Sequence, residues 1–125
     1  MSVLVDTSVW VNHFRHSNAA LVHLVALDQA LTHPMVIVEL ACGTPPAPRA
    51  KTLGDMALLG SVQQATLGEV QAFIERERLY GLGCGLVDVV LLCSVLITPN
   101  TRLWTMDKSL HELAARFDVS YEPTH

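Results

Sequence analysis

The chain opens with the stretch MSVLVDTSVWV, residues 1–11, and this stretch decides the fold. Residues 3–5, Val-Leu-Val, form a short continuous apolar run of the kind found in central parallel strands that are buried on both faces. Residues 6–8, Asp-Thr-Ser, are three consecutive residues that favour the N-cap of a helix, and apolar residues resume at Val9. The stretch therefore predicts a strand that turns directly into a helix, with Asp6 at the turn.

The rest of the chain repeats this alternation of short apolar strands and helices. Further segments suited to strands fall at residues 61–65, 103–105 and 119–121. Short strands that alternate with helices predict a parallel sheet covered by helices on both faces. In such sheets, ligands bind outside the carboxyl ends of the strands. The first predicted helix follows that opening strand. The later predicted helices cover residues 18–30, 34–42, 49–59, 67–79, 86–97 and 108–117.

Three of these helices carry specific sequence signals. Residues 32–34, Thr-His-Pro, place proline at the first helical position, and Gly43 closes the same helix as a C′ glycine. Residues 66–69, Thr-Leu-Gly-Glu, fit a capping box. The segment at 86–97 is apolar on almost every side, which predicts a buried central helix.

Four acidic residues stand within or at the edge of apolar runs. They are Asp6, Glu39, Asp88 and Asp107. Carboxylates are almost never fully buried unless they are paired. No Lys or Arg lies within these runs, and the nearest, Arg102 and Lys108, only flank the fourth acid. If the four side chains converge, they need a cation from outside the chain. A hard divalent metal such as Mg²⁺ suits them because it takes oxygen ligands.

Each acid also has an ordinary structural explanation. Asp6 and Asp107 each precede a predicted helix and can serve as its N-cap. Asp88 lies near a helix N-terminus, where the helix dipole favours an acidic residue. Glu39 is in the middle of an apolar helix, so it is either a narrow solvent-facing stripe or a functional group.

The four acids together are more informative than any one of them. Strand ends and helix N-termini of one α/β domain converge near one edge of the sheet, and like charges brought together raise pKa values unless a metal holds them ionised. The neighbouring hydroxyls of Ser8 and Thr105 suit the hydrogen bonds that orient metal-binding carboxylates. The same hydroxyls can also serve local caps and strand ends.

Composition predicts one domain, residues 1–125, with a large core. Half of the residues are hydrophobic and only 16% are charged, which favours an apolar surface that a partner covers. No apolar run reaches the roughly 18 residues that a membrane span requires. The N-terminus lacks the basic segment of a signal peptide, so we expect a cytoplasmic protein without membrane contact.

The chain has a net charge of −4 and lacks the clustered basic residues usual for a nucleic-acid-binding protein. This counts only weakly against RNA, because four clustered carboxylates account for the whole deficit and a bound metal reverses the local sign.

Cysteines and histidines predict no further site. The three cysteines lack CxxC spacing, so we expect reduced core residues rather than zinc ligands: Cys42, Cys84 and Cys93. The six histidines form no HxH or HExxH motif, so we expect structural or surface roles for His13, His16, His23, His33, His111 and His125.

Four segments carry a resemblance to a known family. They are Val5-Asp6-Thr7-Ser8-Val9-Trp10, His33-Pro34 followed by Glu39, Gly85-Leu86-Val87-Asp88, and Leu103-Trp104-Thr105-Met106-Asp107. In this order they resemble a PIN domain, and most closely the VapC-type ribonuclease toxins of bacterial toxin–antitoxin pairs. The resemblance covers essentially the whole chain. One departure follows the third acid, where many relatives carry small residues and this chain has Val-Val-Leu-Leu at residues 89–92.

The resemblance implies a PIN-like three-layer α/β/α sandwich with a short parallel central sheet. It also implies an endoribonuclease that depends on Mg²⁺ or Mn²⁺, forms a homodimer and is neutralised by a cognate VapB-type antitoxin. The acidic site carried over is Asp6, Glu39, Asp88 and Asp107, with Ser8 and Thr105 in support.

Two other function classes remain open at this stage. A PIN-like domain can act as a non-catalytic scaffold that binds RNA or protein, and a metal-dependent nuclease assay would distinguish it. Phosphatases and receiver domains also place aspartates at strand ends. A phosphatase of the haloacid-dehalogenase type needs a second Asp at the position of Ser8, and a receiver needs a Lys at a strand end, where the segment near Tyr121 offers none.

Overall fold

A sheet of four parallel strands forms the centre of the protein, in a computed structural model that describes residues 1–123. The strands are β1 (Ser2–Val5), β2 (Ala30–Thr32), β3 (Gly60–Ser61) and β4 (Thr101–Trp104). Their spatial order is β3-β2-β1-β4, and every pairing is parallel. A mixed α/β chain with an all-parallel sheet is the architecture that the sequence predicted.

Seven helices surround the sheet in the described part of the chain. They are α1 (Thr7–His16), α2 (Ala19–Ala26), α3 (Pro34–Cys42), α4 (Arg49–Ala57), α5 (Leu67–Glu77), α6 (Leu86–Leu96) and α7 (Lys108–Arg116). Helix α3 packs against both α1 and α4, and α5 packs against α6. Helices α6 and α7 contact β4, while α2 contacts β2. None of these helices is long and apolar enough to cross a membrane.

The opening stretch behaves as predicted. Val3, Leu4 and Val5 are completely buried, and β1 pairs with β2 on one side and β4 on the other. The ladder continues one residue further, because the Asp6 amide donates a hydrogen bond of 2.9 Å to the Trp104 carbonyl. The first acid therefore leaves the sheet at the carboxyl end of its most buried strand.

Local sequence signals also positioned α3, α5 and α6. Pro34 begins α3 and the His33 imidazole caps it by accepting a hydrogen bond from the Met35 amide. The capping box of α5 is present, with Thr66 and Glu69 bonded reciprocally. Residues 89–95 of α6 are all buried, as expected for a central helix.

The predicted helix at residues 18–30 is wrong at its C-terminal end. Helix α2 ends at Ala26, and Asp28 adopts a left-handed backbone with φ 57° that redirects the chain. Ala30 and Leu31 then pair with β1 and form β2. Apolar spacing alone did not separate a helix end from a short buried strand, because the pairing partner lies far away in the sequence.

Three smaller expectations also need correction. The strand expected at 61–65 is reduced to Gly60–Ser61, and the strand expected at 119–121 is a single bridge between Leu103 and Ser120. Gly43 does end α3, but its φ of −102° is not the left-handed conformation of a C′ glycine. Short terminal strands depend on the backbone partners that the sheet offers, which local patterns do not reveal.

The cysteine prediction is half right. All three cysteines are free, but only Cys93 is buried. Cys42 is exposed at the last residue of α3, and Cys84 is half-buried in the loop before α6. His33 is a buried structural residue, whereas His125 lies outside the described residues.

Candidate functional site

Asp6 is the most buried of the four acids and does not cap α1. Asp6 is 5% exposed, and its side chain accepts no capping hydrogen bond from a backbone amide of the first turn of α1. Instead, the hydroxyls of Ser8 and Thr105 each donate to Asp6 Oδ2 at 2.7 Å. The capping explanation is therefore wrong for Asp6, and its carboxylate is oriented by two hydroxyl groups from different segments.

The same two hydroxyls fix the segment that follows β4. Thr105 Oγ1 accepts a hydrogen bond of 3.0 Å from the Asp107 amide, and Ser8 Oγ accepts one of 2.9 Å from the Met106 amide. The two hydroxyl oxygens lie 3.3 Å apart. This network ties the first turn of α1 to the approach of α7, so the backbone of Asp107 is set relative to Asp6.

The other three carboxylates are each held by one hydrogen bond. Asp107 caps α7 by accepting from the Leu110 amide at 2.9 Å, as its structural explanation predicted. Asp88, in the first turn of α6, accepts from the Gly85 amide at 3.3 Å. Glu39 is exposed on α3.

Glu39 is not a free solvent-facing side chain. Its Oε1 atom accepts a hydrogen bond of 2.7 Å from the Thr7 hydroxyl, across 32 residues of sequence. This bond turns the carboxylate toward the first residue of α1, immediately after Asp6. Glu39 therefore belongs to the same edge of the sheet as the other acids.

Electrostatics shows that the four acids form one cluster. The pKa of Asp88 is raised by burial first, and the charges of Asp6, Asp107 and Glu39 raise it further. The Gly85 hydrogen bond opposes this effect by favouring the ionised form. The charges of the other three acids act on Asp88, which places them in its neighbourhood, and the four-acid site itself stays a prediction.

In each of the four acids, one carboxylate oxygen accepts a hydrogen bond from the protein and the other oxygen does not. Oδ2 of Asp6 and Asp88, Oδ1 of Asp107 and Oε1 of Glu39 accept the hydrogen bonds just described. Within residues 1–123, no hydrogen bond to the opposite oxygen of any of these acids is found. The site thus presents four oriented oxygens, namely Asp6 Oδ1, Glu39 Oε2, Asp88 Oδ1 and Asp107 Oδ2.

A cavity of about 470 Å³ adjoins the cluster at Glu39. Its walls come from α1, α3 and the loop after α3. Thr7 and Glu39 line it, and so do Phe14 and Arg15. Of the four acids, Glu39 is the one among the residues that line this cavity, and it shares the wall with a basic and an aromatic side chain.

Comparison with characterised proteins identifies the family. No family model matches the chain. The chain is 43% identical to Ribonuclease VapC32 of Mycobacterium tuberculosis, in strain CDC 1551 / Oshkosh and equally in strain ATCC 25618 / H37Rv. The match spans 118 residues and covers 94% of both chains. This chain belongs to the VapC ribonuclease family. The resemblance seen in its motifs, a VapC-type PIN domain, is confirmed.

The donor set of this VapC chain suits a hard divalent cation. All four side chains supply oxygen, and each is oriented by a hydrogen bond, as metal-binding carboxylates are. Within residues 1–123, no three His, Cys, Asp or Glu side chains are spaced to hold an ion. Mg²⁺ usually keeps several of its waters and contacts only one or two carboxylates directly. Carboxylates that repel one another fit such a hydrated ion better than a fully dehydrated one.

Sequence reasoning missed two contributors to the VapC site. Thr7 was considered only as a helix cap, yet its hydroxyl holds Glu39, and the Gly85 amide holds Asp88. The position of Thr7 directly after the candidate acid Asp6 was the sequence feature that could have indicated its role in the site. The contribution of Gly85 had no side-chain signal, because a backbone amide acts there.

Replacing Asp88 by Asn tests the electrostatics of the cluster. The raised pKa of Asp88 means that ionisation is less favourable in the folded chain than in the unfolded one. Wild-type stability therefore falls as pH rises through the interval between the ordinary carboxyl pKa and the raised one. We expect metal-free Asp88→Asn to melt at the same temperature as wild type or higher at neutral pH. Any advantage should shrink as the pH is lowered through that interval, in melting curves recorded with EDTA.

The matched control for this experiment is Glu75→Gln. Glu75 is exposed on α5, so the same loss of one charge should leave the dependence of melting temperature on pH almost unchanged. A metal-free Asp88→Asn protein that is less stable than wild type at every pH would show that charged Asp88 serves mainly as a cap of α6.

Proposed function

We propose that this VapC chain is a divalent-metal-dependent endoribonuclease and the toxin of a toxin–antitoxin pair. The observation that carries the proposal is the set of four hydrogen-bonded carboxylates, each with one oxygen left over, at the carboxyl edge of the sheet. The ribonuclease name of the relative that is 43% identical supports the same activity.

The four acids divide into ligands and a water-orienting group. Asp6, Asp88 and Asp107 would hold the cation directly or through water, with Ser8 and Thr105 fixing Asp6. Glu39 is a further ligand or orients the attacking water. When bound, Mg²⁺ or Mn²⁺ lowers the pKa of a water and neutralises a phosphate oxygen.

The side chains of the protein then position the reaction. Thr7 keeps the Glu39 carboxylate at the mouth of the cavity, where its second oxygen can accept a proton from water. That water attacks the phosphodiester in line, and the 3′-oxygen leaves to give a 5′-phosphate product. No His or Cys nucleophile is required. A toxin acts where cellular RNA is, so the proposal includes a cytoplasmic location.

A non-catalytic scaffold is a weaker explanation of the same site. A scaffold that binds RNA or protein gains nothing from an acidic group in which burial, and then repulsion by the other three acids, raises the pKa of Asp88. Unpaired carboxylates would also repel the phosphates of RNA. The acids are explained when a cation completes the site.

Metal dependence is the first test of this function. Purified protein should cleave single-stranded RNA with Mg²⁺ or Mn²⁺ and stop with EDTA, and added metal should restore cleavage. Metal should also raise the melting temperature, because a ligand that binds only the folded state stabilises it. Asp6→Asn serves as the control for contaminating nuclease. Wild-type cleavage that continues in EDTA, and is absent from an Asp6→Asn preparation purified in the same way, would contradict the proposal.

Glu39→Gln tests whether the exposed acid belongs to the catalytic site. The change keeps size and the acceptor for Thr7 but removes one charge, so it should weaken metal binding and lower cleavage by a factor on the order of 10 to 100. Folding should be nearly unaffected. The measurement is the cleavage rate of a short RNA across a Mg²⁺ titration.

The matched control for Glu39→Gln is again Glu75→Gln on α5, which loses the same charge far from Glu39 in the sequence. If Glu39→Gln gives the same Mg²⁺ titration curve as Glu75→Gln and wild type, Glu39 is not part of the site. The three aspartates would then hold the metal without it.

An apolar surface supports the proposed partners, a cognate antitoxin and a second copy of the chain. Val22, Val25 and Leu27 of the α2 region are each at least 40% exposed. Val22 and Val25 line a second cavity of about 310 Å³ with Trp10 of α1 and Met56 of α4. Exposed apolar surface of this kind marks interaction sites.

Val22→Glu tests this surface. Sedimentation of the wild-type protein should show a dimer, and co-purification with a co-expressed cognate VapB-type antitoxin should show a complex. A charge at Val22 should weaken one or both associations. Leu67→Glu, which changes a residue of similar exposure on α5, is the control and should weaken neither. A protein that sediments as a monomer and does not bind the antitoxin would contradict the partner proposal.

A further inference from the structure

We propose that the cavity beside Glu39 binds the nucleotide next to the scissile phosphate of single-stranded RNA, and that Arg15 holds a backbone phosphate there. This inference rests on the proposed ribonuclease function and names the part of the protein that binds the substrate. It follows from the charges of the chain, the walls of the cavity and the loop that closes it.

Most of the basic residues are already engaged. Six of the eight make hydrogen bonds or ion pairs within the described chain: Arg49, Lys51, Arg76, Arg102, Lys108 and Arg116. Arg15 and Arg78 make none with residues 1–123. Of these two, only Arg15 lines the cavity that contains Glu39. Among the residues that line the cavity, Arg15 is therefore the cation available to an RNA phosphate.

The cavity includes one of the four acids, Glu39, in its wall and has the size of a ligand pocket. Its volume of about 470 Å³ falls in the range of small-molecule sites. Thr7 and Glu39, which are joined by a hydrogen bond, form one wall. A nucleotide in this cavity would extend directly from a phosphate held at the acids.

The loop that closes the cavity is held in place by α4. Arg49 donates to the carbonyls of Ala41 and Gly43, and the Thr52 hydroxyl donates to the Pro46 carbonyl at 2.8 Å. Residues 43–46 line the cavity. A wall fixed by hydrogen bonds to α4 needs little ordering when a nucleotide binds.

The lining also suits a base as well as a phosphate. Phe14 lines the cavity and is half-buried, so part of its ring stays accessible. Single-stranded RNA is recognised by stacking of unpaired bases on aromatic side chains together with cations on the backbone. Phe14 and Arg15 are neighbours in α1 and supply both elements.

Binding measurements on a cleavage-deficient background test the inference. Asp88→Asn serves as the background, and the probe is a short fluorescein-labelled single-stranded RNA followed by anisotropy at several salt concentrations. Adding Arg15→Gln should weaken binding about tenfold, the scale of one charge-assisted hydrogen bond. The slope of log affinity against log salt should fall by about 0.7, the value for one phosphate contact on a single strand. Arg15→Lys should keep most of that slope.

Arg76→Gln on the same background is the matched control. It removes the same charge from a residue that lines a separate cavity with Cys93 and Ile97, and it should leave the affinity and the salt slope unchanged. Equal weakening by Arg15→Gln and Arg76→Gln would overturn the inference, because only net charge would matter. A polyglutamate peptide of equal charge that displaces the RNA as well as unlabelled RNA does would also overturn it, since the cavity would then bind any anionic chain, including a peptide.

Kinetics separates this inference from the proposed function. In the active protein, Arg15→Gln should raise KM with little change in kcat, as expected for lost binding that is equal in ground and transition states. If wild type cleaves RNA and Arg15→Gln changes neither KM nor affinity, the cavity is not the RNA site although the function stands. If wild type does not cleave but Arg15→Gln still weakens RNA binding, the RNA site stands and the function fails.

Discussion

The hydrogen bonds to Asp6 Oδ2 are the constraint on which the site depends. A carboxylate that is 95% buried next to the core is stable only if donors replace the water it has lost. Ser8 supplies one donor from α1 and Thr105 supplies the other from the segment after β4. Thr105 lies 99 residues from Asp6 in the sequence. The hydrogen bonds that stabilise this one carboxylate therefore connect β1 and α1 with the segment after β4.

The rest of the cluster is built around that junction. Thr105 also receives the Asp107 amide, and Asp107 caps α7, so one hydroxyl relates two of the acids. Thr7, which follows Asp6 directly, holds Glu39. Each hydrogen bond orients a carboxylate but supplies no positive charge. Burial, and then the charges of the other three acids, raise the pKa of Asp88. The four carboxylates at this edge of the sheet repel one another in the metal-free protein, and a bound cation would offset that repulsion.

Much of the fold and most of the site were predictable from particular residues. The apolar run at residues 3–5 followed by Asp6 predicted the central strand and the acid at its carboxyl end, because a strand buried on both faces has a distinct sequence pattern. The apolar segment after Gly85 predicted α6, and the capping box at Thr66 predicted the start of α5. These features are local. Each depends on residues within a few positions of one another, so the sequence alone specifies them.

Features that depend on distant partners were decided only by the tertiary structure. The sequence by itself determined the four candidate acids, the alternation of short strands with helices, and the family to which the chain belongs. It did not separate β2 from the end of α2, because pairing with β1 makes Ala30 and Leu31 a strand. It did not decide whether Glu39 faces solvent or belongs to the acidic site, because the hydrogen bond from the Thr7 hydroxyl to Glu39 is a tertiary contact. It also did not show that Arg15 lines a cavity with Glu39. A local pattern specifies period and caps, whereas the packing of α1 against α3 decides which side chains meet across 24 or 32 residues.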